Sequence, residues 1–200
     1  MTAAGLDISV TYPGLANTVD DTDRLLGDLA RGEAAAVAEV YDTHHAAIRA
    51  FALRLLGDPA SAEDLVHEVF VSLPKAIRRY ERRASLRTFL ISIAVNHSRH
   101  YIRAAARRRA AMQKLLVHPL ADGPQTPERA VEQHQLVRLL SEGLDTLSVD
   151  HRVAFVLCEV EERSSKEAAR IAGVPEATVR TRLFHAKKKL RAFLEKRGVR

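Results

Sequence analysis

The chain has 200 residues, 46% of them apolar and 28% charged, with a formal net charge of +6 at pH 7, a globular composition long enough for one domain or two small ones. One cysteine, Cys158, excludes a disulfide framework and a paired-cysteine zinc site. No apolar run approaches the roughly 18 residues that span a bilayer, and no charged segment leads into an apolar one at the N-terminus, so a cytoplasmic protein without membrane insertion is expected.

Residues 1–19 hold Gly5, Pro13 and Gly14 without apolar periodicity and read as a loose start. The N-terminal extension covers 1–32 and has room for a short helix from Asp23 onward. Val37, Tyr41, His44, Ile48, Phe51 and Leu55 recur three and four residues apart, which lines one face of a helix from about Glu33 to Leu56. Gly57, Asp58 and Pro59 end it. Ser61 with Asp64 reads as the next helix start, followed by Leu65, Val66, Val69, Phe70, Leu73 and Ile77 on an apolar face. Pro74 removes a backbone donor and crowds the Phe70 carbonyl, so a kink or break is expected there. Residues 1–74 carry 12 acidic and 4 basic groups.

The sign then reverses: residues 75–114 carry 12 basic groups and one acidic. Arg79 to Ala84 form a basic loop, and Ser85 opens a third helix through Phe89, Ile93, Val95 and Ile102 to Arg107, Arg108 and Arg109. The three helices make a small bundle over 33–109. Residues 110–126 lose periodicity and gather Pro119, Asp122, Gly123 and Pro124, which marks a linker. Thr126, Pro127 and Glu128 form a helix start, with helices expected over about 127–145 and 149–160.

Residues 115–162 are acidic, with 9 acidic and 3 basic groups, and residues 163–200 are basic again, with 12 against 3. Two basic surfaces, each preceded by an acidic one, suit a protein that holds nucleic acid at two places. In the last block Ala169, Gly173 and Val179 stand at the spacing of a helix-turn-helix: a small residue for close approach, glycine for the turn, a β-branched residue to seal the second helix. Pro175 opens that second helix. Val179, Leu183, Ala186 and Leu190 face the protein, and Arg180, Thr181, Phe184, His185 and Lys188 face outward, where they can enter a major groove. The second domain therefore covers 127–200.

The segments Ala62 to Leu73 (AEDLVHEVFVSL) and Ser85 to Arg103 (SLRTFLISIAVNHSRHYIR) resemble region 2 of the extracytoplasmic-function group of sigma-70 factors, and the C-terminal segment resembles their region 4. The resemblance implies an all-α fold of two small helical domains, region 2 and a region 4 helix-turn-helix, joined by a flexible linker. It implies partners too: core RNA polymerase through the β′ clamp helices and the β subunit, promoter DNA both duplex and as the melted non-template strand, and an anti-sigma factor. It assigns Asp64, Leu65, Glu68 and Val69 to core polymerase. It assigns Tyr80, Arg82, Arg83, Arg87, Asn96, Arg99 and Arg103 to the minus-ten element, with Tyr80, Phe89 and Tyr101 as aromatics within reach of a splayed base and Phe89 equally a core residue. Arg180, Thr181, Phe184, His185 and Lys188 then read the minus-thirty-five element. The chain departs from the family pattern at His67 (usually Gln), Pro74 and Phe89 (often Trp), His100 (often Asp) and His185 (often Arg).

Two elements about two helical turns apart lie about 70 Å from each other at about 34 Å per turn, beyond a single globule of this length, whose radius of gyration is about 16 Å. An extended linker of 17 residues bridges about 60 Å at about 3.5 Å each. The competing classes are a metal-dependent nuclease and a stand-alone regulator. His97 and His100 share a helix face, but their surroundings are basic and lack the convergent carboxylates or thiolates of a metal site, and no P-loop, GxSxG or HExxH is present. No cofactor, metal or catalytic residue is expected. A stand-alone regulator leaves the acidic helix and the basic loop without a role.

Overall fold

The computed structural model describes residues 19–115 and 139–198. Helix α1 (Val19–Arg31) is amphipathic and places Leu29, fully buried, against its neighbours. Helix α2 (Ala34–Leu56) is the central helix of region 2, with Ile48, Phe51, Ala52, Leu55 and Leu56 buried. Gly57 stops it in the left-handed region at φ 66°, its N–H donating to the Leu53 carbonyl, a C-cap that glycine adopts without a Cβ penalty.

Helix α3 (Pro59–Ala76) begins earlier than Ser61. Asp58 is its N-cap, accepting from the Ser61 N–H at 2.8 Å, and Pro59 occupies the first turn. The residues that end α2 thus also start α3. Pro74 does not break the helix as expected. It sits in the last turn, and the chain passes through Ala76 into a short 3-10 turn over Ile77–Arg79, so only two helical residues follow the bond that proline cannot make. Ser85 caps helix α4 (Leu86–Leu115), accepting from the Thr88 N–H at 3.2 Å. α4 continues six residues past 109, so the first part of the expected linker is helical; the rest of it, and the helix start at Thr126, lie outside the described residues.

Region 4 is described from α5, helical over 139–145. Ser148 caps α6 (Val149–Phe155), which widens into a π turn over Val156–Val160. Helices α7 (Ser165–Ala172) and α8 (Glu176–Lys196) form the helix-turn-helix. Ser164 and Glu167 build a reciprocal capping box at the start of α7, and Gly173 ends it at φ 65°.

α2, α3 and α4 pack mutually, and α1 covers one end. The two regions also pack on each other. One apolar core runs from α2, α3 and α4 through Val156 and Leu157 to Ala168, Ile171 and Val179, while Leu144, Leu147, Ala186 and Leu190 form a satellite under α8.

Candidate nucleic-acid interface

The outward face of α8 follows from its apolar spacing. Val179, Ala186 and Leu190 are buried and Leu183 half-buried, which leaves Arg180, Thr181, Phe184, His185 and Lys188 on the exposed side, as expected. Phe184 is 64% exposed, a costly position for an aromatic that has no partner surface. Arg180 is held by Glu176 one turn earlier at 2.6 Å, and Thr181 donates to the Ala177 carbonyl at 3.0 Å. Lys188 has no ion-pair partner among the described residues. His185 stacks on His151 of α6 with ring centroids 5.9 Å apart. Burial, and then the positive neighbours His185, Lys189 and Arg182, hold the His151 imidazole below the ordinary histidine range.

On region 2, Tyr80 closes its own loop by donating to the Ala84 carbonyl at 2.6 Å, and its ring lies against Phe89 with centroids 4.9 Å apart. Phe89 is half-buried and packs on the core while also lining a cavity of about 340 Å³ with Arg79, Tyr80, Arg83, Thr88 and Ser92, so both of its expected roles coexist. From this cavity a polar stripe runs along α4 through Ser92, Asn96, Arg99 and Arg103, spaced three and four residues apart. Arg87 does not belong to it. Nine residues before Asn96, it emerges about half a turn out of phase, near enough to His44 of α2 to depress that imidazole, after burial. Arg82, at the loop tip with φ 59°, pairs with Asp23 of α1. Arg83 pairs with Glu81 at 2.9 Å.

Two assignments on α3 need correction. Leu65 and Val69 are fully buried in the region 2 core, so their side chains shape the helix and cannot meet polymerase. The periodicity that makes them apolar neighbours of Asp64 and Glu68 also turns them inward. What α3 presents outward is Asp64, His67, Glu68 and Val71, the last 65% exposed; Val71 breaks the buried phase of the helix, a signal readable beforehand as an apolar residue out of register. Tyr101 is engaged through its hydroxyl. Its hydroxyl donates to Glu68 at 2.7 Å, and His97 Nδ1 lies 2.9 Å from the other oxygen. Burial, followed by this bond and the charges of Glu68 and Asp64, pushes the Tyr101 phenol far up. Its hydroxyl anchors an acid of α3.

Among the described residues, no helix is long and apolar enough to cross a membrane. Comparison with known proteins agrees with this layout. The Sigma-70 region 2 profile matches residues 40–108 and the Sigma-70, region 4 profile matches residues 138–190. The ECF RNA polymerase sigma factor SigL of Mycobacterium tuberculosis is 33% identical over 177 residues, covering 85% of this chain and 95% of the relative. SigX of Bacillus subtilis, also an ECF RNA polymerase sigma factor, is 26% identical over 162 residues, covering 78% and 82%. The solved structure of CnrH in complex with the cytosolic domain of CnrY shares the fold at a TM-score of 0.56 and 22% identity, over 86% of this chain and 96% of that one.

Fold and surface together define an all-α, two-region DNA-reading protein. With both regions matched in order, the chain belongs to the sigma-70 family, in its extracytoplasmic-function group. It is an alternative sigma factor that directs RNA polymerase to particular promoters, and a stand-alone regulator is not favoured, because region 2 has no place in one.

Proposed function

We propose a division of labour among named surfaces of this sigma factor. α8 reads the minus-thirty-five duplex, with Arg180 placed for a guanine edge and Lys188 for the backbone. The Tyr80–Phe89 cavity takes a base splayed from the melted non-template strand, and Asn96, Arg99 and Arg103 track its phosphates. Asp64, His67, Glu68 and Val71 dock on the β′ clamp helices, and region 4 meets the β subunit. The protein carries no catalytic site, works in the cytoplasm, and is held by an anti-sigma factor when idle. The observation that supports this most directly is the coincidence of exposure with charge: every residue expected on the α8 reading face is exposed, and the basic stripe of α4 starts at an aromatic-lined cavity.

The test is transcription in vitro with bacterial core polymerase and a randomised promoter library. Start-site-specific transcripts that require both the chain and core, with footprints absent when core is omitted, are the expected result. A footprint by the chain alone on duplex DNA, with no transcript when core is added, refutes the assignment. Exchanging Asp64 and Glu68 together for Asn and Gln removes co-purification with core while the helical content stays; unchanged co-purification removes α3 from the docking surface.

A further inference from the structure

His151 of α6 stands outside every expected contact set, yet it lies at the edge of the α8 reading face. Three rings run in a row there: Phe184 meets His185 edge-on with centroids 5.5 Å apart, and His185 stacks on His151 at 5.9 Å. Phe184 and His185 are exposed and His151 is half-buried. The nitrogens of a stacked imidazole lie in its ring plane, so the two rings do not bond each other through them; among the described residues neither imidazole has a hydrogen-bond partner. The charge around the pair is positive. From α8 come Arg182, which donates to Asp150 at 3.0 Å, and Lys189, which donates to the Thr146 carbonyl just ahead of α6. The one acid acting on His151 among the described residues is Asp150 of its own helix, and both oxygens of Asp150 are taken, one by Arg182 and the other by Arg99 of α4 at 3.1 Å. Burial, and then His185, Lys189 and Arg182, resist a proton on His151 in the free chain. A DNA phosphate set against the row reverses that balance, because a nearby anion favours the charged form of an imidazole.

We propose that His151, His185 and Lys189 form a phosphate site at the α6 edge of the reading face, and that duplex DNA binds there together with a proton. The inference rests on α8 as the reader of the minus-thirty-five element. A neutral imidazole offers one N–H; protonation adds a second donor and a charge, and histidine makes that change near neutrality. The DNA-bound state then holds more protons than the free state, so affinity rises as pH falls. His151 thereby extends the reading face from α8 onto α6 and makes promoter binding sensitive to pH.

The probe is a labelled duplex that carries the minus-thirty-five sequence selected from the randomised library and ends upstream of the minus-ten element. The full chain in complex with core polymerase is titrated with it at constant ionic strength from pH 8 to 6. Affinity is expected to rise roughly three- to tenfold, the span that uptake of about one proton carries. His151→Gln should reduce that rise to about twofold or less, and His151→Lys, with its fixed charge, should bind at pH 8 as the parent chain binds at pH 6. Salt titrations of the parent should be steeper at pH 6 than at pH 8 by about one phosphate, a change that a packing role for the ring does not produce. A parent without pH dependence, equal pH dependence in the parent and His151→Gln, or an equal loss by His151→Gln at both ends of the range overturns the proposal. His185→Gln, on the exposed side of the pair, repeats the comparison where folding is not at stake. Arg180→Ala separates this site from the reading beneath it: if it leaves affinity unchanged at every pH, α8 is not the reader and the site falls with it; if it weakens binding while both histidine variants keep the parent's pH dependence, only the proton-linked site falls.

Discussion

Arg180 and Lys188 stand about two turns apart on one face of α8, yet their settings assign them different work. Arg180 is pre-aligned by Glu176, and its planar fork can take guanine O6 and N7 together, so Arg180→Ala is expected to weaken binding by roughly 1 to 3 kcal/mol and to relax preference at one base pair. Lys188 lacks an aligning partner among the described residues and acts as a point charge; Lys188→Ala lowers affinity on all sequences and flattens the salt dependence by about one phosphate. Binding titrations over a promoter set at several salt concentrations separate the two, and a uniform loss for Arg180→Ala removes it as a base reader. Tyr101 allows a sharper discrimination, because Tyr101→Phe keeps the ring and deletes only the hydroxyl that holds Glu68. A stability loss of about 1 kcal/mol is expected for a half-exposed bond to a charged group, with weaker core association and unchanged promoter melting. A melting defect with normal core affinity returns Tyr101 to the DNA. His151 gives a pH signature. Its folded-state pKa lies below the ordinary value of 6.5, so folding favours the neutral ring: its contribution is complete above about pH 6.5 and is lost as pH falls from there through the lowered folded pKa. Thermal melts from pH 7.5 to 5 should show His151→Gln losing less stability over that window than the parent chain; parallel curves refute it.

Elements were legible wherever apolar spacing decides the outcome. Val179 to Leu190 repeat at three and four residues, and α8 buries that phase; in α2 Ile48, Phe51 and Leu55 are buried as the spacing predicts, but toward the N-terminus Ala36 and Val40 take the inward phase, Val37 and His44 are half-buried and Tyr41 is exposed. Boundaries were less legible, since one residue can serve two elements. Asp58 and Pro59 are stop signals for α2 and, with the Ser61 N–H in reach of the Asp58 carboxylate, the start of α3. Pro74 reads as a breaker until its place in the last turn is known. The same ambiguity put Leu65 and Val69 on the docking surface: an apolar residue beside an acid can belong to the core or to an interface, and only packing tells which. The turn of the helix-turn-helix has no such ambiguity. Gly173 needs a positive φ, and a Cβ there meets no atom within 4 Å, so the whole cost of substitution is backbone strain. Gly173→Ala is expected to destabilise region 4 by about 1 to 2 kcal/mol, and Gly173→Asn by less, because asparagine tolerates the left-handed region. Chemical denaturation measures both; equal losses for Ala and Asn point to lost space instead of strain.

At the scale of the whole molecule, charge blocks along the chain foretold two basic surfaces but not that they would be folded together. Arg54 and Glu161, or Arg99 and Asp150, are 107 and 51 residues apart, and no local pattern couples positions so distant. The apolar continuity across the seam has a thermodynamic consequence. Val156 and Leu157 of the π turn are buried in the core that also contains Phe51 and Leu90 of region 2, and the π turn packs against α2. Loosening the turn therefore removes cover from both regions. The free chain should unfold in one calorimetric transition whose van't Hoff and calorimetric enthalpies agree. Leu157→Ala leaves a void in that shared core and is expected to cost about 2 to 5 kcal/mol, lowering the single transition as a unit. If region 4 were merely tethered, the substitution would split the trace, with region 2 melting at its original temperature. Two resolved transitions in the parent chain would show that the seam carries too little free energy to join the regions.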